Sequence, residues 1–103
     1  SVSADDPVLK PEKVILQQNY PNPFNPSTQI AFELRKADHV NLRIYNVKGQ
    51  LVKTLADNYL SAGSHSLTWN GEDQHGHQVG SGVYFYRLET SGQSLTKKML
   101  LMK

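Results

Sequence analysis

Hydrophobic and polar positions alternate with a period of two along most of this chain. Beginning at Gln29, Ile30, Phe32 and Leu34 fall on one side, and Gln29, Ala31 and Glu33 on the other. Lys36-Ala37-Asp38 turns the chain, after which Val40, Leu42 and Ile44 alternate with Asn41, Arg43 and Tyr45. Asn46 to Gln50, with Gly49, reads as a turn, and Leu51 to Leu55 as a short edge strand blunted by Lys53. Asp57 to Gly63 reads as a loop, followed by a strand in which His65, Leu67 and Trp69 share a face. Tyr84, Tyr86 and Leu88 alternate with Val83, Phe85 and Arg87, and a turn at Ser91-Gly92-Gln93 leads to a last strand, Ser94 to Met102. There Leu95, Lys97, Met99 and Leu101 share one face, while Lys98, Leu100 and Met102 share the other. Both faces are partly apolar, so alternation leaves the register open.

Three segments depart from this rhythm. Residues 1–12 (SVSADDPVLKPE) combine Ser, Asp and two prolines without periodicity and read as a linker, leaving 13–103 as the domain. Val14 to Leu16 is a short apolar run, expected to be a first strand. Asn19 to Thr28 (NYPNPFNPST) carries three prolines, which exclude a helix and disfavour a central strand. Asn22 and Asn25 each precede a proline and can bond back to the backbone, so the segment is expected to be a stiff crossing loop pinned by Tyr20 and Phe24. Asn70 to Gly82 is the longest irregular stretch inside the domain, with glycines at 71, 76, 80 and 82.

Six or seven short strands with turn signals at close intervals predict an all-β fold: an immunoglobulin-like β-sandwich of two antiparallel sheets with about seven strands. A helix over Tyr45 to Asp57 is opposed by Gly49, Val47 and Val52. The length of 103 residues fits one domain. Cysteine is absent, so no disulfide and no thiol chemistry contribute. A net charge of +2 gives little steering toward nucleic acid. No apolar run is long enough to span a membrane, and no export signal opens the chain, so the signal of an exported parent is expected upstream.

Candidate chemistry is sparse. Glu72, Asp73, His75 and His77 lie close together, and Glu72 and Asp73 are the candidates for calcium, with Asp73, His75 and His77 for zinc. Their spacing matches neither an EF-hand nor a common zinc pattern, so a solvated loop with Asp-capped turns is preferred and no metal or cofactor is expected. No GxSxG elbow is present, Glu33, Asp38 and Glu89 fall on or beside exposed strand faces, and His39 and His65 read as sheet residues, so no enzyme is expected. Trp69, Tyr84 and Tyr86 share faces with leucines and are expected in the core rather than on a sugar platform; Tyr45, Tyr59 and Phe85 are the outward aromatics. Lys97 and Lys98, adjacent on a strand, point to opposite faces and make no basic patch; lysine there discourages edge pairing.

Four ordered stretches carry a resemblance: YPNPFNPST (Tyr20 to Thr28), VNLRIYNVKGQLVKTL (Val40 to Leu55), AGSHSLTWNGEDQHGHQVGSGVYFYRL (Ala62 to Leu88) and the terminal SLTKKMLLMK. From about Val14 to Lys103 the chain resembles the C-terminal sorting domains of type IX secretion substrates, in the branch that looks like the immunoglobulin-like domain of the flagellar hook-capping protein. The resemblance implies a targeting module at the end of a multidomain exported protein of the Bacteroidetes or related bacteria. Such a module directs its parent through the periplasm and the outer-membrane translocon to the cell surface, in many cases with removal by a sortase-like protease. It implies that Lys97, Lys98, Met99, Leu100, Leu101, Met102 and Lys103 form the recognition signal. Asn22, Pro23 and Phe24 match the opening motif, Trp69 the tryptophan strand, and Gly82, Val83 and Tyr84 the strand that supports the signal. The competing expectation is an immunoglobulin-like spacer or carbohydrate-binding accessory domain of a secreted enzyme.

Overall fold

Alternation becomes burial in the computed structural model, which describes residues 14–103. Strand β2 (Thr28–Leu34) buries Thr28, Ile30, Phe32 and Leu34 and turns Gln29 to solvent. Strand β3 (Asp38–Tyr45) buries Val40, Leu42 and Ile44, and β6 (Gly82–Glu89) buries Tyr84, Tyr86 and Leu88. With β1 (Ile15–Leu16), β4 (Leu51–Leu60), β5 (Gly63–Trp69) and β7 (Ser94–Leu101), these form two antiparallel sheets, ordered β1-β2-β5 and β4-β3-β6-β7. The inward residues of both sheets make one continuous core, as an immunoglobulin-like sandwich requires.

Pairing with β6 settles the register of the last strand. Tyr84 lies opposite Met99 and Gly82 opposite Leu101, so Met99 and Leu101 face the core with the half-buried Leu95 and Lys97. Ser94, Thr96, Lys98 and Leu100 take the outer face. The strand stops at Leu101, leaving Met102 and Lys103 beyond it and exposed.

Two expectations are corrected. The edge strand does not stop at Leu55, and the loop expected from Asp57 is strand: β4 runs on to Leu60 and stays paired with β3, with Asp57 opposite Asn41 and Leu60 opposite Asp38. An edge strand has one free flank, so Asp57, Asn58 and Tyr59 remain hydrated while the other flank pairs. The second correction concerns Tyr20. Phe24 is buried as an anchor, but Tyr20 is 80% exposed. Its backbone pairs with Gln29, Tyr20 N–H to Gln29 C=O at 3.0 Å and the reverse at 2.9 Å, and directly opposed residues share a face. Because Gln29 faces outward, Tyr20 does too. The linker expected over 1–12 lies outside the described residues.

Candidate functional site

The segment from Val14 to Phe24 runs beside β7 in the same direction. At its start, the Val14 N–H donates to Gln93 Oε1 at 2.6 Å, and midway the Gln18 side chain donates to the Lys98 carbonyl at 2.8 Å. Near its end the proline-rich loop joins β7 backbone to backbone. The Phe24 N–H donates to the Leu100 carbonyl, the Met102 N–H donates to the Phe24 carbonyl, both at 3.0 Å, and Phe24 and Leu101 form a parallel bridge. The Leu100 N–H donates to Asn22 Oδ1 at 3.0 Å. The upper half of the β7 edge is therefore occupied by this chain's own loop. Among the described residues no such cover reaches Ser94 to Lys97. Edge protection by lysine alone, expected from Lys97 and Lys98, is thus supplemented by a backbone cap.

Side chains lock the cap down. Phe24 tilts against Trp69 at 5.7 Å between ring centroids, and Trp69 meets Tyr84 edge-on at 5.2 Å. The Trp69 indole N–H donates to the Glu72 carbonyl at 2.9 Å and the Tyr84 hydroxyl to the Gly80 carbonyl at 2.7 Å, so both rings also hold the polar loop between β5 and β6. Gly71, at φ +72°, brings that loop against the proline segment: a Cβ there would stand 3.1 Å from the Pro26 carbonyl oxygen and 3.6 Å from Leu101. Gly82 opens β6 at φ +147°. Phe24, Trp69, Gly71, Tyr84 and Leu101, drawn from three of the four stretches, thus close one end of the sandwich around the end of β7. Pro23 stays exposed on the loop surface.

The terminal heptad is split by this geometry. Met99 and Leu101 are core residues, Lys97 and Leu100 are half-buried on opposite faces, and Lys98, Met102 and Lys103 are exposed. The backbone of Lys103 is still fixed, its N–H donating to Ser81 Oγ at 2.9 Å. The reachable surface is therefore Lys98, Met102 and Lys103, with part of Lys97 and part of Leu100 on opposite faces, on a hydrogen-bonded backbone.

Sequence reasoning missed Asn19 and Thr28, buried polar residues that shape the loop's entry. Asn19 Nδ2 donates to Thr28 Oγ1 at 3.0 Å, and the Thr28 hydroxyl donates to the Pro21 carbonyl at 2.8 Å. The Tyr86 hydroxyl accepts the Asn19 N–H at 2.8 Å and donates to the Gln17 carbonyl at 2.7 Å; burial pushes this phenol up to about 12. The available signal was a Tyr on the core face of β6, whose hydroxyl needs a partner when buried.

In the polar loop Asp73 caps a turn. Its Oδ1 accepts the N–H groups of His77 at 3.0 Å and His75 at 2.9 Å, and the bond from His77 does most to lower its pKa. Glu72 accepts from Gln78 at 3.3 Å. Among the described residues no three His, Cys, Asp or Glu side chains converge in a set able to hold a metal ion. At the far end of the sandwich, Asp38 accepts the Ser91 hydroxyl at 2.8 Å, which is the main cause of its lowered pKa, and ties the β2–β3 turn to the β6–β7 turn.

Against known proteins, a family profile described as the FlgD Ig-like domain matches residues 19–94. No curated protein sequence matches the chain. Latent dimeric PorU of Porphyromonas gingivalis shares the fold at a TM-score of 0.71 and 20% identity, covering 92% of this chain and 10% of that one. PorZ of the same organism, described as an essential bacterial surface component of its type IX secretion system, aligns at 0.58 and 20%, covering 87% and 11%. FlgD of Xanthomonas campestris, described in connection with hook capping, aligns at 0.59 and 22%, covering 86% and 67%. The chain thus spans about a tenth of the length of PorU and PorZ, and at these identities the likeness is one of fold.

Proposed function

The chain belongs to the FlgD Ig-like domain family, and we propose that this member is a non-catalytic C-terminal targeting module that directs an exported parent protein through the type IX translocon to the cell surface. The observation that carries the reading is the display of Met102 and Lys103. Both side chains are exposed past the end of β7, while their backbone is held by Phe24 and Ser81. An address must be reachable and presented in a constant shape, and this end of the sandwich provides both. The fold shared with PorZ, a type IX surface component, supports the same system. In this reading the translocon is the partner, a sortase-like surface protease acts later, the route passes the periplasm and outer membrane, and the signal comprises Lys97 to Lys103.

The backbone cap on β7 bears on how a partner could engage such a signal. An incoming strand could add to β7 by backbone pairing only by entering the groove between Val14 to Leu16 and Leu95 to Lys97, or by displacing the loop from Leu100 and Met102. With the loop in place, the terminal residues are read through their side chains.

The test fuses a reporter with its own export signal to the chain, in a host with a type IX system. Deleting Lys97 to Lys103 would remove Met99 and Leu101 from the core and confound folding with display. Charge reversal at exposed positions, Lys98→Glu with Lys103→Glu, avoids this. Surface display should fall while the melting temperature of the purified domain stays the same. Undiminished display would leave the domain as an immunoglobulin-like spacer.

A further inference from the structure

We propose that the outer face of the β1-β2-β5 sheet, beside Tyr20, is a binding site for a neutral saccharide, a role separate from targeting. Tyr20, Gln29 and Thr68 form one row across three segments: Tyr20 is bridged to Gln29, and Gln29 lies opposite Thr68 in the β2–β5 ladder. Directly opposed residues send their side chains to the same face, and here that face is solvent, since all three are exposed. All three line a groove of about 580 Å³ that Gln17, Ser27 and Ala31 line as well.

The chemistry of the lining points to the ligand. Charged residues make up 19% of the chain, yet none of the nine residues lining this groove is charged. What remains is an aromatic ring, amides and hydroxyls, with Pro21 and Ala31 between them in the lining. A pyranose offers the complement: an apolar C–H face for the ring, and a rim of hydroxyls that donate and accept with amides and hydroxyls. An anionic or cationic ligand finds no counter-charge here.

Tyr20 is also costly to explain as structure. Its ring is 80% exposed, so it adds little to the core, yet two backbone hydrogen bonds to Gln29 fix where it projects. An exposed aromatic whose Cα–Cβ direction is set by the backbone, beside a neutral groove, is placed for stacking at the cost of ordering only two side-chain torsions. Among the other aromatics, Trp69, Tyr84 and Tyr86 are buried, and Tyr45 is engaged by Arg87, whose guanidinium donates to its hydroxyl at 2.7 Å; Tyr59 is exposed as well, but on β4 of the other sheet, away from this groove.

The experiment titrates the full 15N-labelled chain with neutral cello-, xylo- and manno-oligosaccharides, and with an anionic oligogalacturonide. At least one neutral sugar should bind at millimolar concentration and shift the amide resonances of Tyr20, Gln29 and Thr68, with the oligogalacturonide weaker. Tyr20→Ala should weaken binding about tenfold or more at an unchanged melting temperature, and Tyr20→Trp should retain it. Gln29→Lys, which places a charge in the row, should weaken it as well. No shifts with any neutral sugar, shifts confined to the outer face of the other sheet, stronger binding of the anionic sugar, or indifference to Tyr20→Ala would each overturn the proposal. Lys103→Glu leaves this site untouched, so failure here and failure of targeting are read separately.

Discussion

Tyr86 holds Asn19 across the sandwich: its hydroxyl accepts the Asn19 N–H at 2.8 Å while donating to the Gln17 carbonyl at 2.7 Å. The ring is fully buried and Asn19 is 2% exposed, so the Asn19 N–H has no water as a substitute partner. Tyr86→Phe keeps the ring, orphans the Asn19 N–H and removes the donor to the Gln17 carbonyl. Urea unfolding should show a loss of about 1–3 kcal/mol. The same hydroxyl sets an alkaline limit. Its pKa is raised to about 12 in the folded chain, against ~10 when unfolded. The unfolded state releases this proton first, so the stabilisation is complete below pH ~10 and drains away as pH rises toward about 12. Tyr86→Phe should flatten that part of the stability profile; a parallel decline in both proteins would reject the assignment.

The loop cap predicts a local opening that core mutations elsewhere do not produce. Phe24→Ala removes a ring that is 2% exposed and packs on Trp69, and should cost about 3–5 kcal/mol. Asn22→Ala removes only the acceptor for the Leu100 N–H and should cost about 1 kcal/mol. Hydrogen exchange distinguishes the two. In Asn22→Ala the Leu100 amide should exchange faster while the β3–β6 ladder keeps its protection; uniform acceleration would mean that the loop is not a separate cap.

Acid should loosen both ends. Asp38 and Asp73 have lowered pKa values, mainly through the Ser91 hydroxyl in the first case and the His77 N–H in the second. A lowered folded pKa contributes stability above the unfolded value, ~3.9, and loses it as pH falls through the folded value. The melting temperature of the native chain should therefore drop below pH ~4. Asp38→Asn and Asp73→Asn should start lower at neutral pH and show a shallower drop, measured by circular dichroism across an acid series.

Two glycines with similar φ should respond unequally to alanine. Gly49 sits at φ +81° with open space around it, so alanine meets only the left-handed penalty, about 1–2 kcal/mol. Gly71 at φ +72° faces the Pro26 carbonyl oxygen 3.1 Å from the added Cβ, so the polar loop must also move off the proline segment. Gly71→Ala should be the more destabilising of the two and should shift the resonances of Pro26 and Leu101; equal effects would count against close packing of these two loops.

The parts of this fold that were legible share one physical property: a side chain whose partner is solvent on one face and core on the other. Ile30-Phe32-Leu34 and Tyr84-Tyr86-Leu88 announce themselves this way. The second half of β4 does not, because an edge strand can carry Asp57, Asn58 and Tyr59 without cost. Tyr20 was misread because apolarity suggests burial, whereas the bridge to Gln29 fixes its face regardless of its chemistry. The cap on β7 left no trace in the pattern, since most of its bonds are made by backbone or by the side chain of Asn22, and backbone carries no residue code. Motif residues such as Phe24, Trp69 and Tyr84 were visible, while their convergence on Leu101 was not.

Because Val14 to Phe24 and β7 run the same way, a pull that draws Val14 and Lys103 apart slides one past the other. The links from Gln18 to Lys98, from Asn22 and Phe24 to Leu100, and from Met102 to Phe24 then carry load together instead of opening in turn. The domain is built as a shear joint. Drawn by its two ends, it resists as a unit, with a lifetime set by the rate of unfolding rather than by equilibrium stability.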